Sequence, residues 1–455
     1  MENESKYLAR VGARLLNVAN DLKRTPDLIA DELGRPHDFL QNAIRGEISL
    51  EDMHTLVLQV YAAYPISMSE LWVERDQTND GLAVMTAEQS EASSRTIERT
   101  DSNGITAPYY QYRDTAMVRE GPYKPEWIKE LKVVTDTDPE NPGVVYNKGH
   151  LMHQQTFFIG EVNFYWDLNG QRFCREMNTG DSNYITPYVP HSFTSRNSEK
   201  LGLIVAVTFA SAIEHARASM LYADNEDMST WFGDTRMESR MFAQAINRHR
   251  ENEMLSVDQL ADRLREYGIN IADALARGDG PERPTAAELD ALANALNIYP
   301  DQLAFPGLAP EQEVVVQHRK DQEIRAFGDS QDPSYLFYDL ARSRHLPNLK
   351  GYDFEIVADH DQPAELKHGM HEYIYNYGDT PVSISYADGC TETIKSGDSA
   401  YISPLVSHRF STKGVNAHVA VVRVAGGMTK EAVHEIASYS PSGRSRAKSE
   451  ITQWF

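Results

Sequence analysis

Three side chains near the middle of the chain have the types and spacing of a metal centre. His150 and Gln154 lie four residues apart in NKGHLMHQQTFF, where apolar and polar positions alternate. Alternation predicts a strand, and an even spacing puts both side chains on one face. His191 returns much later in the chain, directly after Pro190, in GDSNYITPYVPHSF. Two imidazoles and one oxygen donor on one face leave three positions of an octahedral ion open. That arrangement lets non-haem Fe(II) hold a substrate and O2 together. The third ligand is unusual, because Gln154 offers a neutral amide oxygen where such sites ordinarily use a carboxylate. A single histidine on a strand is more often a hydrogen-bonded core residue, and His153 and His371 are read that way.

The elements that must position these residues occur twice. GDSNYITPYVPHSF at 180–193 pairs with GDSAYISPLVSHRF at 397–410, and GHLMHQQ pairs with KHGMHEY once a small gap is allowed. Cys174 and Cys390 fall at nearly corresponding positions. Ahead of each β-rich half stands a helical stretch. In residues 1–75, LARVGARLLNVANDL has apolar residues at helical spacing, and TPDLIADELG gives a short helix ended by Gly34. The pattern returns at 236–306, down to a final Tyr-Pro. Each stretch is similar to the helix-turn-helix module of phage repressors. The expected fold is therefore α+β: a helix-turn-helix-like module and a small β-barrel, repeated in tandem over 1–75, 96–225, 236–306 and 318–430. The divide falls near 225, residues 76–95 read as a polar linker, and SYSPSGRSRAKSE reads as a solvated tail.

Composition narrows the function classes. The 455 residues, 41% hydrophobic, suffice for several domains with a sizeable core. A formal net charge of −23 and a pI near 5.1 repel phosphate backbones, so no nucleic-acid partner is expected. The two cysteines form neither a disulfide framework nor a zinc motif, which fits a reducing cytoplasm. The longest apolar run, LGLIVAVTFASA at 201–212, is too short to span a bilayer, and no signal core opens the chain. A soluble cytoplasmic protein without a membrane partner is expected, assembled as a homo-oligomer.

Duplication supplies an internal control. By ligand type the second half looks more orthodox, since His368, Glu372 and His408 stand where His150, Gln154 and His191 stand. The surroundings argue for the first half. Arg99, Tyr112, Asn147 and Lys23 offer a forked guanidinium, a hydroxyl, an amide and a mobile ammonium, together an anion clamp. In the second half Arg325 and Tyr338 keep their spacing, but Met254 replaces Lys23 and Glu365 replaces Asn147. A carboxylate there repels an anion, so the active site is assigned to the first half.

With these residues in place, the chain resembles the bicupin non-haem iron phosphonate dioxygenases. The resemblance covers nearly the whole chain and is most specific at NKGH, 147–150, and YITPYVPHSF, 184–193. It implies two cupin barrels and an Fe(II) site. The hydroxymethylphosphonate-forming branch carries a carboxylate ligand six residues before the second His. Here that position is Ile185, and the exchange for Gln154 looks like the methylphosphonate-forming branch. The resemblance implies that Fe(II) is held by His150, Gln154 and His191. Lys23, Arg99, Tyr112 and Asn147 would bind the phosphonate, with Lys23 and Gln154 serving catalysis. O2-dependent C–C cleavage of 2-hydroxyethylphosphonate would give methylphosphonate and carbon dioxide. The alternatives are the sister reaction, giving hydroxymethylphosphonate and formate, and a cupin-type helix-turn-helix transcription regulator. The regulator is disfavoured because RPHDFLQNAIRGEISLED is nearly balanced in charge.

Overall fold

The computed structural model describes residues 2–210, 213–232, 238–268, 285–303, 310–344, 346–387 and 389–454. The first helical module is built as its periodicity predicts. Asn3 caps the helix Glu4–Asp21, Thr25 caps Pro26–Glu32 with proline in its first turn, and Ser49 caps Leu50–Ala63. The helix His37–Arg45 ends at Gly46, whose φ of 72° puts it in the left-handed region. A Cβ at Gly46 would run into the backbone of Leu8 and Ala9, so this glycine also sets the close approach of two helices. Leu8, Leu15, Leu40, Leu56 and Val60 close the module's core. In the second module, Ser256 and Thr285 open Val257–Arg265 and Ala286–Leu296 with capping boxes. The stretch expected to match the recognition helix, within 269–284, lies outside the described residues.

Each β-rich half is a seven-stranded antiparallel sheet facing a three-stranded one. In the first, Ser182–Ile185, Met152–Ile159, Leu203–Ala210, Tyr123–Glu130, Thr106–Asp114 and Arg95–Thr100 run side by side. Phe158, Ile185 and Ile204 of this sheet pack against Phe164, Trp166 and Phe193 of the smaller one. Burying each such side chain contributes roughly 1.5–3 kcal/mol. The second half repeats the plan around Phe354, Ile374, Ile384 and Phe410. A further core, including Phe157, Tyr184, Val205, Tyr373, Tyr401 and Val422, joins the outer faces of the two large sheets.

One expectation about connecting segments is corrected. Residues 76–95 are not a polar linker: Leu82–Met85 pairs antiparallel with Ser399–Ile402 and completes the second half's sheet. Reciprocally, Val314–Gln317 pairs with Ser182–Ile185 and completes the first. Each half thus lends the other an edge strand, which covers the hydrogen-bonding groups an exposed edge would leave open. A helix, Asn225–Phe232, stands where the sequence places the divide. The C-terminal stretch forms the exposed helices Lys430–Ser438 and Pro441–Lys448, after which Asn20 donates to the Thr452 carbonyl and accepts from the Trp454 N–H. Among the described residues no helix is long and apolar enough to cross a membrane.

Candidate metal centre

His150 sits in the turn just before the strand Met152–Ile159, not on it, and Gln154 lies within that strand. His191 opens the strand His191–Ser195 in the facing sheet. The turn nevertheless aims the ring at the amide: His150 Nε2 is 3.2 Å from Gln154 Oε1, and the two imidazole centroids are 5.2 Å apart. The outer atom of each ligand is fixed by the chain itself. Nδ1 of His150 donates to the Met152 carbonyl at 3.0 Å, and Nδ1 of His191 to the Val189 carbonyl at 2.9 Å. Gln154 Nε2 donates to Thr156 Oγ1 at 2.9 Å. Both Nε2 lone pairs and the amide oxygen therefore point inward, the outer-shell arrangement that orients metal ligands. A nitrogen lone pair facing a carbonyl oxygen at 3.2 Å is two acceptors without a proton between them, which a cation resolves. Burial, with His150 and Arg99 nearby, pushes the His191 pKa down to about 3, so the ring stays neutral and able to ligate.

Of the predicted anion-binding residues, Asn147 touches the cluster, Arg99 is close enough to lower the His191 pKa, Tyr112 lies by Tyr110 and Arg95, and Lys23 is elsewhere. Asn147 brackets the ligand turn, accepting from the N–H groups of Gly149 and His191, both at 2.9 Å. Its Nδ2 is 3.0 Å from His191 Nε2, so an amide donor stands at the cluster. Arg99 donates to the Val145 carbonyl at 2.7 Å, with its guanidinium over the rings of Tyr109 and Tyr110. Burial pushes the Tyr112 phenol up to about 12, so it remains an O–H donor. Lys23 is exposed and follows the helix Glu4–Asp21 in the left-handed region at φ 55°. Its ammonium donates to the Asn20 carbonyl at 3.2 Å and lies 5.0 Å over the Trp454 ring. The structure does not bring it to the cluster.

Register corrects three of the sequence equivalences between halves, those of Arg325, Tyr338 and Glu365. Phe193 and Phe410 each donate a backbone N–H to a tyrosine hydroxyl, from Tyr110 and Tyr335 respectively, so those tyrosines correspond. Two residues further on, Tyr112 then matches Phe337, not Tyr338. Arg95, paired in register with Tyr112, matches Arg325, paired with Phe337, and each arginine holds an aspartate, Asp114 or Asp339. The bulge between Ile97 and Glu98 displaces Arg99 from this frame and hid the shift. Asn147 N–H donates to the His191 carbonyl as Leu366 N–H donates to that of His408, so Leu366, not Glu365, is its counterpart. Glu365 instead pairs with Arg409. Lys23 and Met254 do correspond, sharing the same left-handed turn. At the matched positions the second half thus lacks the phenol, the amide and the ammonium.

Sequence reasoning missed Glu130, which is fully buried with neither carboxylate oxygen hydrogen-bonded among the described residues. Its register partner is Tyr110, and the matching position in the second half, opposite Tyr335, is Ile356. Burial holds its pKa well above the carboxylate range, only partly opposed by Arg99. An acid with a raised native pKa contributes stability that is complete below its unfolded value, about 4.3, and is lost as pH rises through the native one. Glu130→Gln keeps the shape without the ionisation. Its stability relative to the parent, from urea melts, rises from acid to alkaline pH. A difference that stays constant across the range contradicts a neutral Glu130.

Fold and site together define a duplicated β protein, one unit of which keeps a two-histidine, one-amide cluster suited to a metal ion, with Asn147 against it. No protein-family model matches the chain. The methylphosphonate synthase of Nitrosopumilus maritimus (strain SCM1) is 33% identical over 455 residues, covering 99% of this chain and 96% of that protein. Streptomyces albus HEPD, solved with 2-hydroxyethylphosphonate and Fe(II) bound, superposes with a TM-score of 0.87 at 30% identity, covering all of both chains. Native PhpD with cadmium has a TM-score of 0.73 at 20% identity, covering 96% and 98%, a likeness of fold. The chain belongs to the non-haem iron phosphonate dioxygenase family of methylphosphonate synthase and hydroxyethylphosphonate dioxygenase.

Proposed function

We propose that this protein carries out the Fe(II)- and O2-dependent cleavage of 2-hydroxyethylphosphonate to methylphosphonate and carbon dioxide. The observation that carries the reading is the amide oxygen of Gln154 in the cluster, directly opposite a buried Ile185 in the strand register. Each β unit is read as a cupin barrel, and the whole as a bicupin in which the helical modules act as active-site covers, not as nucleic-acid readers. The identity to a methylphosphonate synthase along 99% of the chain supports the same outcome.

His150, Gln154 and His191 would hold Fe(II), which supplies Lewis-acid charge and electrons toward O2. The reaction balances without 2-oxoglutarate: 2-hydroxyethylphosphonate and O2 give methylphosphonate, carbon dioxide and water, the substrate supplying all four electrons. Arg99 and Tyr112 bind phosphonate oxygens, the first by a forked charge-assisted contact and the second through its retained O–H. Asn147 Nδ2 donates to an oxygen beside His191 Nε2. Thr156 fixes the Gln154 rotamer so that oxygen, and not nitrogen, faces the centre. Lys23 arrives from a helical module of the same or a neighbouring subunit once the anion is bound.

An amide from Gln154 in place of a carboxylate would leave a bound metal more positive, which would favour retention of anionic groups at the site and with it methylphosphonate over hydroxymethylphosphonate. Gln154→Glu has the same reach and a harder oxygen, and it retains iron. It diverts part of the turnover to hydroxymethylphosphonate and formate, visible by phosphorus NMR of the product mixture. A fully active variant with methylphosphonate as sole product would remove ligand charge from the account and leave the lining around Ile185 to explain the outcome.

A further inference from the structure

The second β unit repeats the metal cluster almost atom for atom. His368 Nδ1 donates to the Met370 carbonyl at 3.1 Å and His408 Nδ1 to the Val406 carbonyl at 3.0 Å, so both Nε2 atoms point inward. Glu372 Oε2 meets His368 Nε2 in a short contact and lies 3.5 Å from His408 Nε2. That buried His408 nitrogen has no hydrogen bond among the described residues. The three donor atoms lie within 4.8 Å of one another. A buried carboxylate between two imidazoles is by type a stronger cation site than the cluster in the first unit.

One neighbouring position differs in charge. The strand Leu203–Ala210 sets Thr208 opposite Gln154, and the strand Ala417–Val424 sets Arg423 opposite Glu372. Thr208 spends its hydroxyl on the Lys124 carbonyl at 3.0 Å. Arg423 instead grips the carboxylate with both arms, Nε to Oε2 at 3.1 Å and Nη2 to Oε1 at 3.4 Å. Its guanidinium is almost wholly buried and stacks over Tyr352. Oε2, the atom that faces both histidines, is thus already neutralised by a fixed positive charge.

We propose that Arg423 is the resident cation of the second unit, occupying by charge the role of a divalent ion and keeping a complete His368–Glu372–His408 set free of metal. A divalent cation entering the cluster would face the guanidinium across one carboxylate, in a buried setting that screens repulsion poorly. Removing the guanidinium charge turns the same three residues into a working 2-His-1-carboxylate metal site. The proposal rests on the second unit's own geometry and stands apart from the reading of the first.

The test is cobalt(II) binding to the full chain in a His150→Ala background, read by metal analysis and the visible spectrum. Only the part that His408→Ala removes is counted, so residual binding in the first unit cancels. With Arg423 in place the expected His408-dependent cobalt is none. With Arg423→Thr, the residue found at the matching position, or Arg423→Met, which keeps the packing without charge, it is one equivalent per chain. Circular dichroism shows which variants fold. His408-dependent cobalt in the protein that keeps Arg423 overturns the proposal, and this arm needs no change at 423. So does the absence of such cobalt from a folded Arg423 variant.

Discussion

His150→Ala abolishes turnover and strips the first unit of its metal, whereas His408→Ala leaves turnover within about twofold, less than ~0.5 kcal/mol of transition-state stabilisation. The asymmetry follows from what surrounds two nearly identical ligand sets. In the first unit Asn147 Nδ2 lies beside His191 Nε2. In the second, the matching residue is Leu366, Tyr112 has become Phe337, and Arg423 sits on the carboxylate. Loss of an inner ligand lowers metal affinity by more than the roughly 10–100-fold typical of outer-shell partners. His408→Ala costs some stability, because a fully buried ring is removed, but the ion pair between Glu372 and Arg423 survives it. Iron content and product formation measured side by side check both halves of the expectation. Chemistry stopped by His408→Ala and spared by His150→Ala would reverse the assignment.

Lys23→Ala lowers turnover by more than about tenfold, the scale of one lost charge-assisted contact worth roughly 1.5–3 kcal/mol. The fold survives the change. Lys23 makes one hydrogen bond to the Asn20 carbonyl and one cation–π contact with Trp454, and exposed contacts of this kind each contribute about 1 kcal/mol or less. The ammonium must leave this resting place to serve the site, so the loss appears in the closed, substrate-bound state. Single-turnover kinetics at saturating substrate, with a melting curve as control, separate this from weakened binding or misfolding. An unchanged rate removes Lys23 from the mechanism.

The sequence revealed those features whose signals are local or repeated. Helical periodicity with caps at Thr25 and Ser49, and the two GDS…H segments, suffice for the helices and the duplication. Strand exchange was hidden, because Leu82–Met85 finds its partner more than three hundred residues away and nothing local marks the pairing. The equivalences of Arg325, Tyr338 and Glu365 failed for a related reason: the first half carries a bulge at Ile97–Glu98, and letter spacing cannot see register. Arg423 and Glu130 escape the sequence because an isolated charge on a strand reads as solvent-facing, and only the sheet shows Arg423 turned onto buried Glu372 and Glu130 buried.

The most direct measurement is phosphorus and carbon NMR of the wild-type chain, loaded anaerobically with Fe(II) and given 2-hydroxyethylphosphonate labelled with carbon-13 at C2, then oxygen. The account predicts methylphosphonate as the phosphorus product, with the label released as carbon dioxide and no 2-oxoglutarate required. Hydroxymethylphosphonate with labelled formate as the main products, or unchanged substrate from iron-loaded protein, would contradict it.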